Sequence, residues 1–209
     1  ILYKKPEDLK NKSLPDNLAL KFDKLWRIAQ EAIVDKKYLK AEKILLTILR
    51  FDEKNATAYN RLGIIYAGQK NYNEAIECFE IAQSLENSPS SLLYVGLIYL
   101  ETYNFEKAAL AFEQALSLED SLPARHIAYA KALEGLGKEK AAILALEKAV
   151  EKEARPQTLR ALGSLYLKTN NTDKAQEIKE KLDSLRSDRL TIKQNRLSNS
   201  SATTKKIEM

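Results

Sequence analysis

One histidine, His126, and one cysteine, Cys78, bound the chemistry open to this 209-residue chain. A lone imidazole excludes a multi-histidine metal site, and any Ser-His-Asp triad must be built on His126. His126 falls where the related helices use Tyr59, Leu92 and Leu159, so it reads as a buried packing residue. Cys78 excludes an intrachain disulfide and reads as a small thiol packed on a helix. Acid/base catalysis needs two carboxylates in unlike surroundings. The acid-rich turns Glu74, Glu77, Glu80 and Glu147, Glu151, Glu153 are instead interleaved with lysines on outer helical faces, which makes them a solvated surface. Gly135-Leu136-Gly137-Lys138 has the residue types of a phosphate loop, but it joins two helices and no strand precedes it. It is a turn. No cofactor or metal is expected, and nothing points to an enzyme.

The elements that carry these residues share one period. Tyr59-x-x-Leu62-Gly63-x-x-Tyr66, then Ala75, Phe79 and Ala82, returns as Leu92-x-x-Val95-Gly96-x-x-Tyr99, then Ala108, Phe112 and Ala115. Gly63 to Gly96 is 33 residues, and Gly96 to Ala130 is 34. Pro89, Pro123 and Pro156 recur at 34 and 33 residues, each opening a helix where its missing N–H costs nothing. A fixed period of this length marks stacked helix pairs, each touching its neighbours. Gly63, Gly96, Ala130 and Gly163 are small where two helices approach. Ala75, Ala108, Ala142 and Ala175 let the second helix nest on the first. Gly costs about 1 kcal/mol relative to Ala inside a helix, so its repetition there implies packing.

Charge and termini qualify this reading. Hydrophobic residues make up 44% and charged residues 30%, enough apolar surface for a continuous core. The formal charge of +5 lies at the ends: residues 186–209 carry +4 and residues 1–21 carry +2, leaving the body near −1. A basic patch on the repeats is therefore missing, which argues against nucleic acid. No apolar run reaches membrane-spanning length. Ile1-Leu2-Tyr3-Lys4-Lys5 suits either the end of a lost membrane helix with its interfacial residues or a trimmed chain with no anchor.

With its signature residues in this register, the chain resembles a tetratricopeptide repeat protein. Five units cover residues 22–55, 56–88, 89–122, 123–155 and 156–189, preceded by a leader over 1–21 with a helical period starting at Phe22. A cap extension and a basic, disordered tail occupy 190–209. In the fifth unit Lys179 stands where a large apolar residue would pack, as suits a terminal repeat facing water. The resemblance implies an all-α, right-handed superhelical solenoid whose first helices line a concave groove. Carried over position by position, the groove presents Trp26, Gln30 and Ile33; Asn60, Ile64 and Ala67; Leu93, Leu97 and Leu100; Ile127, Lys131 and Glu134; and Arg160, Ser164 and Leu167. The two-lysine, two-asparagine, one-arginine clamp by which some relatives hold chaperone tails is missing.

The expected function is a cytoplasmic, non-catalytic protein–protein interaction scaffold that takes a peptide or helix in this groove, with Asn60, Lys131 and Arg160 giving polar specificity. The alternatives are a membrane-tethered assembly subunit whose N-terminal anchor is missing here, and nucleic-acid or anionic-membrane contact through the basic tail. Self-association through the groove, or cover in cis by residues 1–21, competes with a separate partner for the apolar centre.

Overall fold

The computed structural model describes residues 16–187. The expected cap and basic tail over 190–209, and the leader up to residue 15, lie outside them. The described chain is all-helical, in the order α1 (Asp16–Val34), α2 (Tyr38–Phe51), α3 (Ala56–Gly68), α4 (Tyr72–Leu85), α5 (Pro89–Glu101), α6 (Phe105–Leu118), α7 (Pro123–Gly135), α8 (Glu139–Lys152) and α9 (Pro156–Lys168). A further helix, α10, covers 172–187. Helix α1 begins at Asp16, within the stretch read as a leader, so helix runs six residues further back than Phe22.

The alternation of 33 and 34 has a local cause. Helices α3, α5, α7 and α9 each have 13 residues, and α4, α6 and α8 each have 14. The turn inside each pair is always three residues: 35–37, 69–71, 102–104, 136–138 and 169–171. Only the link to the next pair varies, with four residues at 52–55 and 119–122 and three at 86–88 and 153–155. Four gives 34 and three gives 33.

Every three-residue turn is closed in the same way. Its middle residue is left-handed: Lys36 (φ 56°), Lys70 (65°), Tyr103 (58°), Gly137 (68°) and Asn170 (57°). The next N–H then reaches back five residues, as in Asn71 N to Tyr66 O at 2.9 Å and Asn104 N to Tyr99 O at 2.8 Å. The left-handed residue's own N–H closes the inner bond, as in Lys70 N to Ala67 O at 3.0 Å. This double closure satisfies carbonyls that a helix end leaves unpaired. Only Gly137 adopts the left-handed conformation without a Cβ penalty.

Two compact units divide the chain, Ile1–Tyr94 and Val95–Met209. In the first, α1 packs on α2, α2 on α3 and α3 on α4. Ala29, Ala41, Leu45, Ile48, Leu62 and Ile65 form its core. Phe79 lies over Gly63 so closely that a Cβ there would sit 2.7 Å from the ring. Phe79 also stacks on Tyr94, with centroids 5.1 Å apart. In the second unit, α6 packs on α7, α7 on α8 and α8 on α9, around Ala130, Leu133, Leu146, Leu162 and Tyr166. Here Phe112 covers Gly96, where a Cβ would lie 2.4 Å from the ring. The small residues therefore face bulky aromatics of the paired helix.

Three variants test this account. Gly96→Ala should lower stability by about 1–3 kcal/mol despite its gain in helix propensity, because Phe112 is fully buried and has no room to withdraw. Gly163→Ala, which meets only Ile178 at 3.2 Å, should change it by less than about 1 kcal/mol. Lys70→Gly should add about 0.5–1 kcal/mol by relieving the left-handed strain. Urea midpoints of the three variants decide all of this, and equal midpoints for the two Gly→Ala changes would refute the packing argument.

Candidate functional site

The face that does not pack is read most clearly on α5. Its sequence is apolar all round, yet only Ser91, Val95, Gly96 and Ile98 are buried. Leu93, Leu97 and Leu100, at helical spacings of four and three, form a stripe on another face. Leu93 and Leu100 are half-buried, and Leu97 keeps 41% of its surface in water. The positions in the same register are Asn60, Ile64 and Ala67 on α3, Ile127, Lys131 and Glu134 on α7, and Arg160, Ser164 and Leu167 on α9. Of these four helices, only α5 carries large apolar groups at all three positions.

None of the remaining expected groove residues is a core residue. In the first unit Trp26, Asn60 and Ile64 are half-buried and Gln30 is exposed; in the second Ile127 is half-buried, and Lys131 and Arg160 are exposed. Trp26 and Ile127 lean against the cores of their own units. Asn60 is partly committed: its side-chain oxygen accepts a hydrogen bond from the Ser91 hydroxyl at 2.8 Å. Its amide donors are what it can offer a ligand.

The reactive residue types are internal. Cys78 is buried, and desolvation pushes its thiol up to about 11, which leaves almost no thiolate near neutrality. His126 is 3% exposed, and burial lowers its pKa. Its Nε2 lies 3.1 Å from the Asp120 carbonyl, which can only accept, so Nε2 carries the hydrogen. Beside it, Arg125 is 1% exposed; it donates to the Glu119 carbonyl at 2.9 Å and pairs with the Glu119 carboxylate at 2.8 Å. Lys152 adds an ion pair to Asp120 at 3.3 Å. These contacts hold the four-residue link 119–122 in place.

Sequence reasoning missed Arg125, together with Ser91 and Thr158. All three immediately precede the signature aromatic position, in register with Ala58, and all are buried. The signal was available: Ala58, Ser91, Arg125 and Thr158 recur at 33, 34 and 33 residues, and the arginine is the only large member.

Glu147 corrects one expectation, because it is not part of a solvated carboxylate face. It is half-buried, accepts a hydrogen bond from the Tyr166 hydroxyl, and receives Lys174 Nζ at 3.0 Å. In the first unit the Tyr66 hydroxyl donates to Glu42 at 2.8 Å in a similar way. Burial, then the neighbouring carboxylate, pushes each phenol up to about 12. The Tyr166 hydrogen bond, opposed by burial and aided by Lys174, holds Glu147 below the usual carboxylate range. Tyr66 and Tyr166 thus each tie the first helix of a pair to the second helix of the pair before it.

These features place one segment in a known family. The family model described as tetratricopeptide repeat matches residues 56–88, which are α3, the turn and α4. The α3–α4 pair is a tetratricopeptide repeat. Solved structures extend the likeness in fold to most of the chain. MamA residues 41 to the end, from Desulfovibrio magneticus RS-1, is 18% identical with a TM-score of 0.70, covering 83% of this chain and 97% of that one. YrrB, described as a TPR protein with an unusual peptide-binding site, is 20% identical with a TM-score of 0.61, covering 74% and 80%. No curated protein matches the chain in sequence. Among the described residues, no helix is long and apolar enough to cross a membrane.

A pH test isolates the tyrosine–carboxylate tie. A carboxylate depressed on folding stabilises the protein above its unfolded pKa, and that contribution fades as pH falls through the carboxylate range. A phenol raised on folding contributes below its unfolded value and loses that contribution as pH climbs toward 12. Glu147→Gln should therefore shallow the acid limb of the stability curve between about pH 5 and 3. Tyr166→Phe should shallow the alkaline limb above about pH 10. Unchanged slopes in denaturant midpoints across those two windows would refute the tie.

Proposed function

We propose that this protein is a non-catalytic interaction scaffold that binds a peptide or helix of a partner protein, with α5 as its apolar docking centre. The observation that carries the reading is the stripe of Leu93, Leu97 and Leu100. Three large apolar groups stay partly in water on a helix whose other face is fully packed. Exposed apolar rows of this kind gain most from desolvation by a complementary surface. An amphipathic helix or an extended segment can supply such a surface. The fold supports the same reading, since YrrB, a solved structure of similar fold, is described as having a peptide-binding site. Each unit adds polar positions in the same register, Asn60 in the first and Lys131 and Arg160 in the second, which give its own surface polar specificity.

Leu97→Glu is the decisive variant. Leu97 is 41% exposed, so the substitution should cost less than about 1 kcal/mol of stability while lowering partner capture at least tenfold. Pull-down from the source proteome with the parent as reference, alongside thermal unfolding, reads both effects. A variant that unfolds would mean that Leu97 is covered within the chain. A folded variant that captures the same partners would remove α5 as the docking centre.

A further inference from the structure

A hollow in the Val95–Met209 unit lies between α9 and α10 and takes in the α9 groove positions Arg160, Ser164 and Leu167. Its volume is about 560 Å³, and its floor is Gly163, Leu167, Ala175, Ile178 and Leu182. Leu167 is 62% exposed, so this floor is apolar and incompletely covered by the described residues. Its rim is polar and one-signed. Arg160 and Ser164 stand one turn apart on α9, and Lys179 rises from α10; no carboxylate lines the hollow. Among the described residues neither Arg160 nor Lys179 forms an ion pair, a lack they share with Lys131, Lys138, Lys140 and Lys148 of the same unit; what sets these two apart is that both line the hollow.

We propose that this hollow binds an acidic, amphipathic peptide segment, one that seats a bulky apolar side chain on Leu167, Ile178 and Leu182 and places carboxylates against Arg160 and Lys179. Charge chooses this occupant over the chain's own ends. Residues 186–209 carry +4 and residues 1–21 carry +2, so either segment, from this chain or a second copy, would set cations against cations. An acidic partner completes two unpaired charges while removing apolar surface from water. Arginine adds a planar fork that takes a carboxylate through two parallel hydrogen bonds, and Ser164 stands beside it as a further donor. Gly163 keeps the floor open, because any side chain there would press on Ile178, 3.2 Å from where its Cβ would stand. The proposal rests on the scaffold reading but on a different helix pair from the α5 stripe.

The test uses the full chain and a fluorescein-labelled amphipathic peptide with one leucine stripe flanked by glutamates. Two control peptides carry glutamine or lysine in place of the glutamates. Fluorescence anisotropy should rank them glutamate, glutamine, lysine, with at least about fivefold between the first two, and raised salt should narrow that gap. The double variant Arg160→Glu, Lys179→Glu should invert the ranking, and both sites are exposed, so circular dichroism should show an unchanged fold. Leu167→Ser should weaken the glutamate and glutamine peptides alike. Equal binding of those two peptides, absence of binding, or a ranking indifferent to the charge reversal overturns the proposal. So does tighter peptide binding by Leu190→Ser, Leu197→Ser, which would make the chain's own C-terminal segment the occupant. A self-association abolished by Arg160→Glu would assign the hollow to a second copy and overturn it too. Loss of the acidic preference while capture still depends on Leu97 defeats this proposal alone and leaves the scaffold reading intact.

Discussion

The three-residue return between paired helices is the constraint on which the rest of this structure depends. Four of the five returns force an L-residue into the left-handed region, at about 1–2 kcal/mol each. That strain persists because the surrounding helices over-determine the turn. A return this short brings the second helix back directly alongside the first. It therefore fixes which residues meet: Gly63 with Phe79 and Gly96 with Phe112, always a missing side chain beneath a large ring. A longer turn would let the helices slide, and the glycines would then carry their helix penalty with no packing in return. Because the return never changes length, variation is displaced to the links between pairs.

Those links show how a repeat tolerates irregularity. The four-residue link 52–55 is held by its own Asn55, which accepts from Ala58 N at 2.9 Å and donates to Asp52 at 2.8 Å. The other, 119–122, is held by Arg125 and His126 reaching back from α7. A buried arginine is a poor source of stability, since desolvation opposes what its ion pair gains. Its Nε has no hydrogen-bond partner, which adds to that cost. Its use here is positional. The guanidinium takes both the carboxylate and the carbonyl of Glu119, so the extra link residue has one conformation.

The architecture was largely legible in the residues, and the reason is physical. Periodicity survives in sequence because each pair must solve the same packing problem, so Gly63, Gly96 and Gly163 recur with Ala75, Ala108 and Ala175. Capping prolines mark the boundaries because only a helix start accepts them cheaply. What escaped reading were interactions that depend on side-chain reach. Glu42 and Glu147 both serve a signature tyrosine, yet they occupy different positions relative to Ala41 and Ala142, so no spacing rule links them. A helical wheel places Glu147 on an outer face. Only the approach of Tyr166 from the next pair makes it internal. The earlier start of α1 escaped reading because residues 16–21 lie ahead of the repeat register, in which Phe22 matches Ala56.

In a stacked repeat, stability and recognition are assigned to different faces of the same helix. On α3, α5, α7 and α9 one inner position barely varies: Gly63, Gly96, Ala130 and Gly163 keep it small in each turn of the repeat. The more open positions vary widely, from Asn60 to Leu93, Ile127 and Arg160. A helix apolar on every side is normally one enclosed on every side. Helix α5 has that composition but not that enclosure in the described chain. Of its three leucines in this register, Leu93 and Leu100 are half-buried and Leu97 keeps 41% of its surface in water, so part of each is left for an outside surface to cover. The apolar open face of α5 and the cations of α9 and α10 that lack ion pairs among the described residues are what the two proposals rest on, because the described packing leaves both available.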